Sequence, residues 1–262
     1  MKNIAYPGSA GSLSISTLCG MAAMAFIIAC TAHEAIGHGL ACLGNGGGIM
    51  LLTSVYFRCR PGAVVVDAAG PLMSLVVAAI AAIVLRRRRL ISTQSLTPYS
   101  NSTVFSALLL AYSGFWGAGY FIFSAATNTG DWAYVLSGLS LEPKWLWRLG
   151  MGMIGVWMYV MIFRMVSPFL SKGKPLVVAY FTAGLVACAS VFFYHGPALP
   201  ALREAVQEGM LAPLGLLLIA LSRPTAKNFA PPSLPFSRTW IAASIVIIII
   251  FWLSLGRGIY TG

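Results

Sequence analysis

Long apolar runs recur along the whole chain, and they restrict what it can fold into. Hydrophobic residues make up 58% of the 262 residues and charged residues only 9%, against about 25% charged residues in soluble domains. A hydrocarbon core about 30 Å thick needs about 20 apolar residues in a helix. Candidate spans lie near residues 15–43, 63–85, 102–126, 145–166, 175–195, 208–222 and 239–256. The sequence therefore predicts an all-α, polytopic transmembrane helix bundle with about seven spans.

The polar connections between these runs are short, so no soluble domain is expected. We predict a single membrane domain over residues 1–262, with three spans in 15–135 and four further spans in 136–262. One connection stands out, because a glycine-rich turn precedes β-branched and aromatic residues at 49–57, which is typical of a strand. A strand cannot face lipid unpaired. We expect a short interfacial β-hairpin there, or an edge that binds an extended polypeptide.

The net charge of +11 is distributed as expected for membrane topology. With the N-terminus inside, the inner segments hold eleven lysines and arginines, including the run Arg86–Arg89, and the outer segments hold six. The positive-inside rule favours this orientation. We therefore expect a multi-pass protein of a bacterial inner membrane, with the lipid bilayer as its partner and no role in binding nucleic acid.

The five cysteines form no paired framework, and four of them lie inside apolar runs, where a thiol usually acts as a small hydrophobe. We therefore expect no structural disulfide. Cys30 and Cys42 lie close to the histidines of the first span. They leave open a softer, copper-binding site, because copper prefers sulfur ligands.

Titratable side chains inside the membrane are costly and usually functional. The first span contains His33, Glu34 and His38, Asp67 lies at the start of the second, and Asp131 follows the end of the third. In the predicted topology His38, Asp67 and Asp131 reach the outer side at a similar depth. This convergence predicts a site, whereas Glu142, Glu204 and Glu208 are assigned to loops or to loop borders.

The spacing within "HEAIGH", residues 33–38, allows two geometries. In a regular α-helix, residues five apart are rotated by about 140° and do not share a face. A π-bulge brings such residues together, and glycines ease the distortion. With a bulge, His33 and His38 are metal ligands and Glu34 is a general base. In a straight helix, Glu34 and His38 face the site alone, and a third possibility is that the polar groups only hold helices together.

The motifs resemble those of the site-2 protease class of intramembrane zinc metallopeptidases. "HEAIGH" corresponds to that family's H-E-x-x-H with one residue more, "AGPLMS" at 69–74 to its Gly-Pro motif with Ser74 in place of asparagine, and "NTGDW" at 128–132 to its aspartate motif. The match covers residues 15–135. The resemblance implies metal-dependent hydrolysis of a membrane-bound polypeptide substrate.

The resemblance also implies roles for single residues. His33, His38 and Asp131 would bind Zn²⁺, with Glu34 as the general base and Asn128 as a donor to the oxyanion. Asp67 would be a partner to a ligand histidine or an additional ligand, a set that would also suit Fe or Mn.

Two other classes of function remain open at this stage. One is a non-proteolytic metalloprotein, either a redox or hydroxylating enzyme or a metal-binding protein partner in a larger membrane complex. The other is a transporter that uses the buried acids as an ion path.

Overall fold

A computed structural model describes residues 13–92, 100–222 and 234–260. Within these ranges, seven helices are long and apolar enough to cross a membrane, as the sequence predicts, and one short helix and a small sheet accompany them. The helices are α1 (Ile15–Gly44), α2 (Val64–Ser92), α3 (Asn101–Thr127), α4 (Asp131–Gly138), α5 (Lys144–Phe169), α6 (Lys174–Phe193), α7 (Ala198–Leu221) and α8 (Arg238–Gly256). The strands are β1 (Gly48–Leu52), β2 (Phe57–Arg60) and β3 (Ile259–Tyr260).

Helix α1 lies at the centre of the bundle and contacts α2, α3, α6 and α8. Between Leu18 and Cys30 its apolar residues are buried around nearly the whole circumference, which fits a helix surrounded by others. The Phe26 ring stacks on Trp116 of α3 with 5.9 Å between ring centroids, and Phe251 of α8 meets it edge-on. The centre of the bundle therefore holds the segment that carries both span histidines.

The second half of α1 is π-helical from Ala32 to Gly39. Of the two geometries that the spacing allows, this is the one with five-residue periodicity, and it places His33 and His38 on the same face. Gly37 allows α2 to approach closely, because a Cβ atom there would lie 2.7 Å from the Ala69 carbonyl oxygen and the Gly70 Cα.

The predicted strand at 49–57 is divided into two. Residues 53–56 form a turn in which the Thr53 Oγ1 accepts hydrogen bonds from the backbone N–H groups of Val55 and Tyr56. Strands β1 and β2 flank this turn as an antiparallel hairpin. Strand β3 adds to the other side of β1, giving the order β2-β1-β3. This third strand is too short to be detected as an alternating pattern.

Cys42, near the end of α1, forms a disulfide with Cys59 of β2. The expectation of no structural disulfide is therefore wrong. Spacing along the chain did not reveal the pair, because one cysteine lies in an apolar span and the other in the hairpin. The disulfide holds β2 beside the histidine-bearing end of α1.

The predicted position of the sixth span is also corrected. Helix α7 begins at Ala198, ten residues before the predicted start, because residues 198–206 form an amphipathic helix with Ala201 and Ala205 buried. Glu204 and Glu208 consequently lie within a helix and not in a loop.

Candidate metal centre

His33, His38 and Asp131 form a group that can hold a metal ion. The two Nε2 atoms lie 3.3 Å apart. The Asp131 Oδ2 lies 3.2 Å from the His33 Nε2 and 3.5 Å from the His38 Nε2. Three potential ligand atoms from two distant segments of the sequence therefore form a nearly equilateral triangle.

The size of this triangle fits a small tetrahedral cation. Metal–ligand bonds of about 2.0–2.1 Å in a tetrahedron separate the ligand atoms by about 3.3–3.4 Å. The Asp131 Oδ2 is also buried and has no hydrogen bond of good geometry among the described residues, despite the nearby imidazoles. A metal ion at the centre of the triangle would satisfy this oxygen and both nitrogens.

The remaining ring nitrogens determine which tautomer each histidine adopts. The His38 Nδ1 lies 2.7 Å from the Val66 carbonyl oxygen, which can only accept a hydrogen bond, so Nδ1 carries the proton. The His33 Nδ1 lies 3.0 Å from the Ser74 Oγ, and the Ser74 hydroxyl donates to the Gly70 carbonyl oxygen. In the neutral rings, both Nε2 lone pairs therefore point into the triangle, as metal ligation requires.

Aromatic side chains hold the two imidazoles in place. The His33 ring stacks on Trp116 and Tyr120 of α3, with ring centroids 5.2 and 5.0 Å apart. The His38 ring stacks on Phe57 of β2 at 5.3 Å. The hairpin therefore contributes directly to the orientation of one potential ligand.

Asp131 is the first residue of α4, and a tight bend at Gly130, with φ of 81°, turns it toward the histidines. Burial alone would raise the pKa of the Asp131 carboxyl, but in the metal-free protein attraction to the imidazoles in their protonated form outweighs this effect and lowers the pKa from 3.8 to about 2. Asp131 is therefore ionised at neutral pH, as a metal ligand must be.

Glu34 lies beside the triangle, with its Oε1 3.9 Å from the His33 Nε2, and it is 3% exposed. A cavity of about 270 Å³ extends from this carboxyl and is lined by Asp131, Phe57 and Tyr120, among others. The Glu34 carboxyl is therefore close both to the potential metal ligands and to any molecule that occupies the cavity.

Asp67 and Asn128 occupy different positions from the three potential ligands. Asp67 lines the cavity, but Val66 and Ser74 make the contacts to the histidine Nδ1 atoms. Asn128 follows the last residue of α3 and has a left-handed backbone conformation with φ of 59°. The segment from Asn128 to Asp131 is therefore not helical, and the two side chains are not placed on one helix face. Asn128 is exposed and is not among the described residues that line the cavity.

The structure does not provide thiolate ligands for copper at this site. Cys42 forms the disulfide with Cys59 and so has no free thiol. The Cys30 thiol donates a hydrogen bond to the Ser54 carbonyl oxygen, at 3.3 Å. Among the described residues, the metal-binding group contains no cysteine. The sequence-based option of a sulfur-rich site is therefore wrong.

The cavity also contains two acids that the sequence analysis assigned to loops. Glu204 and Glu208 of α7 line it opposite α1, and Glu208 is 3% exposed. Their spacing of four residues places them on one helix face. Ala201 and Ala205 have the same spacing, and this four-residue repeat is the signal that could have identified the helix.

Comparison of the chain with known protein families, curated proteins and solved structures found no match.

Proposed function

We propose that this protein is a metal-dependent peptidase of the membrane, with zinc as the metal. The observation that carries the proposal is the position of Glu34, whose carboxyl lies 3.9 Å from the His33 Nε2 at the edge of a cavity shared with Asp131. Metal-dependent hydrolysis needs three protein ligands, a proton acceptor and space for the substrate. All three requirements are met by groups within this one region.

A zinc ion bound there would supply a water molecule of lowered pKa and would polarise the substrate carbonyl. Glu34 would act as the general base that accepts a proton from the attacking water, and it would return this proton to the leaving nitrogen as the C–N bond breaks. His33 and His38 keep their orientation through Ser74 and the Val66 carbonyl.

The β-hairpin supports an extended peptide as the substrate. Strand β2 forms one edge of the sheet among the described strands, and its Phe57 both lines the cavity and stacks on His38. A peptide added to this edge would form main-chain hydrogen bonds that hold it beside Glu34.

The disulfide supports an outward-facing site. Disulfides persist in oxidising compartments such as the bacterial periplasm and are rare in the cytosol. The Cys42–Cys59 bond lies next to the histidine-bearing segment. This agrees with the orientation inferred from the lysines and arginines, with the N-terminus in the cytoplasm.

A second function follows from the donor set itself. Two histidines and one carboxylate with open positions are also the ligands of non-haem Fe(II) oxygenases. The site would then belong to a hydroxylating membrane enzyme, in which Glu34 has no role as a base for hydrolysis.

Glu34→Gln tests the proposal and separates these two functions. We expect the variant to retain its zinc and to lose at least about a hundredfold in cleavage of fluorescence-quenched apolar peptides, since general-base catalysis contributes about 10²–10⁴. Glu142→Gln is the matched control, because Glu142 is exposed and lies outside the cavity. Full cleavage by Glu34→Gln would exclude its role as the base, and loss of zinc would make Glu34 a ligand.

A further inference from the structure

The acidic side chains of this strongly basic protein are concentrated in one place. All six acids of the chain lie in the described ranges, and five of them line the 270 Å³ cavity. These five are Glu34, Asp67, Asp131, Glu204 and Glu208. No lysine or arginine is among the described residues that line it. The cavity therefore concentrates carboxyl groups, and with them potential negative charge, in a chain of net charge +11.

The metal centre accounts for only part of this charge. Asp131 faces the histidines and Glu34 lies beside them, so a divalent cation would balance two carboxylates. Asp67, Glu204 and Glu208 line the cavity outside the group of three potential ligands and are not needed for the proposed proton transfer. Their presence points to a second positively charged group in the cavity.

Of these three acids, Glu208 is the one whose surroundings most clearly lack a partner. It is 3% exposed, and its Oε2 atom has no hydrogen-bond partner among the described residues. Glu208 and Tyr120 both line the cavity, so a ligand in the cavity lies next to this carboxyl. A buried carboxyl oxygen without a hydrogen-bond partner is costly, so a group that donates a hydrogen bond to it, such as an ammonium or a guanidinium, would be bound favourably.

The surroundings of Glu208 indicate the shape of the ligand. A second cavity, of about 320 Å³, shares Tyr120, Phe123, Gln207 and Glu208 with the first. Its other lining residues are largely apolar and include three leucines, Leu211, Leu214 and Leu218. A ligand that fills both cavities therefore has a positive charge next to an apolar group.

We propose that Glu208, together with Glu204, binds a lysine or arginine side chain of the polypeptide substrate. A neighbouring apolar side chain of the same substrate occupies the leucine-lined cavity. This assignment deepens the proposed peptidase function and rests on it for the ligand being a polypeptide. It makes Glu208 a specificity-determining residue rather than a catalytic one.

The test measures binding and does not depend on hydrolysis. Zinc-loaded, full-length Glu34→Gln protein in nanodiscs is titrated with labelled apolar peptides that carry one arginine, and with the same peptides carrying citrulline, which is a neutral isostere. Fluorescence anisotropy gives the dissociation constants. We expect the arginine peptide to bind at least about tenfold more tightly, as hydrogen bonds between charged groups imply.

The double variant Glu34→Gln/Glu208→Gln is expected to bind both peptides equally, while Glu34→Gln/Glu142→Gln keeps the preference. Zinc content of each variant reports whether the site is intact. The arginine–citrulline comparison in Glu34→Gln alone tests the charge if the double variant does not fold. Equal binding of the two peptides, a preference that survives Glu208→Gln, or no binding of either peptide would overturn the assignment. Tight, charge-dependent binding without cleavage by the wild-type protein would refute the peptidase and leave the binding site standing.

Discussion

Gly70 of α2 lies against the imidazole of His38 so closely that a Cβ atom at Gly70 would overlap the ring at its Nε2. The potential metal ligand therefore occupies space that only a glycine leaves open. Gly70 belongs to the "AGPLMS" segment, and its absent side chain explains why this segment needs a glycine beside its proline.

Gly70→Ala is expected to lower zinc affinity by about a hundredfold, a loss at the upper end of what disturbing a ligand's support costs. The substitution moves the His38 ring, while alanine favours the helix by about 1 kcal/mol over glycine, so the loss does not reflect a weaker helix. Competition with a zinc chelator measures the affinity. Gly150→Ala is the control, because no atom lies within 4 Å of a Cβ placed there. Equal affinity in the two variants would show that the close contact has no role.

Ser74→Ala is expected to weaken zinc binding by about 10–100-fold, because it removes the acceptor that orients His33. The His33 Nδ1–H would be left buried without a partner. Ser113→Ala provides a comparison within the membrane, since the Ser113 hydroxyl is buried without a hydrogen-bond partner among the described residues. Its loss should leave zinc affinity unchanged. A Ser74→Ala protein with wild-type affinity would contradict the proposed tautomer.

The lowered pKa of Asp131 predicts how the stability of the metal-free protein depends on pH. A folded-state pKa of about 2, below the ordinary 3.8, means that ionised Asp131 stabilises the folded state by about 2 kcal/mol. This contribution is complete above the ordinary pKa and is lost as the pH falls through about 2.

After chelator treatment, the wild type is therefore expected to be more stable to thermal unfolding than Asp131→Asn. This difference in stability is largest near neutral pH and shrinks below pH 4. A difference that is constant, or that grows on acidification, would contradict the cause assigned to this pKa.

The disulfide predicts the number of reactive thiols. Protein purified without reductant and then denatured should react with three equivalents of alkylating reagent, at Cys19, Cys30 and Cys188, and with five after reduction. Mass spectrometry counts the adducts. Replacing Cys42 and Cys59 by serine should destabilise the protein by about 3 kcal/mol, because the bond closes a loop of 17 residues. Five reactive thiols before reduction would contradict the bond and remove its support for an outward-facing site.

The seven apolar helices could be predicted from the sequence because bilayer thickness sets a length that apolar composition reveals directly. The spacing of His33 and His38 was compatible with two helix geometries, because the choice depends on how closely α2 packs against Gly37. That contact is part of the tertiary structure, and the spacing of two residues along the chain carries no information about it.

Glu208 was missed for a different reason. The apolar run of α7 begins only after its charged first turns, so the sequence places Glu208 at a loop border although it is buried in the structure. The Cys42–Cys59 disulfide and β3 were missed because both depend on pairing between segments with no local pattern of their own.

Metal content tests the central claim most directly. Elemental mass spectrometry is applied to the purified wild type and to His33→Ala, His38→Ala and Asp131→Ala, with His195→Ala as the control because His195 is exposed and lies outside the metal-binding group. We predict about one zinc per chain in the wild type and in the control, and none in the other three variants. A wild-type protein without metal, or metal retained when these side chains are removed, would contradict the account, and iron in place of zinc would favour the oxygenase.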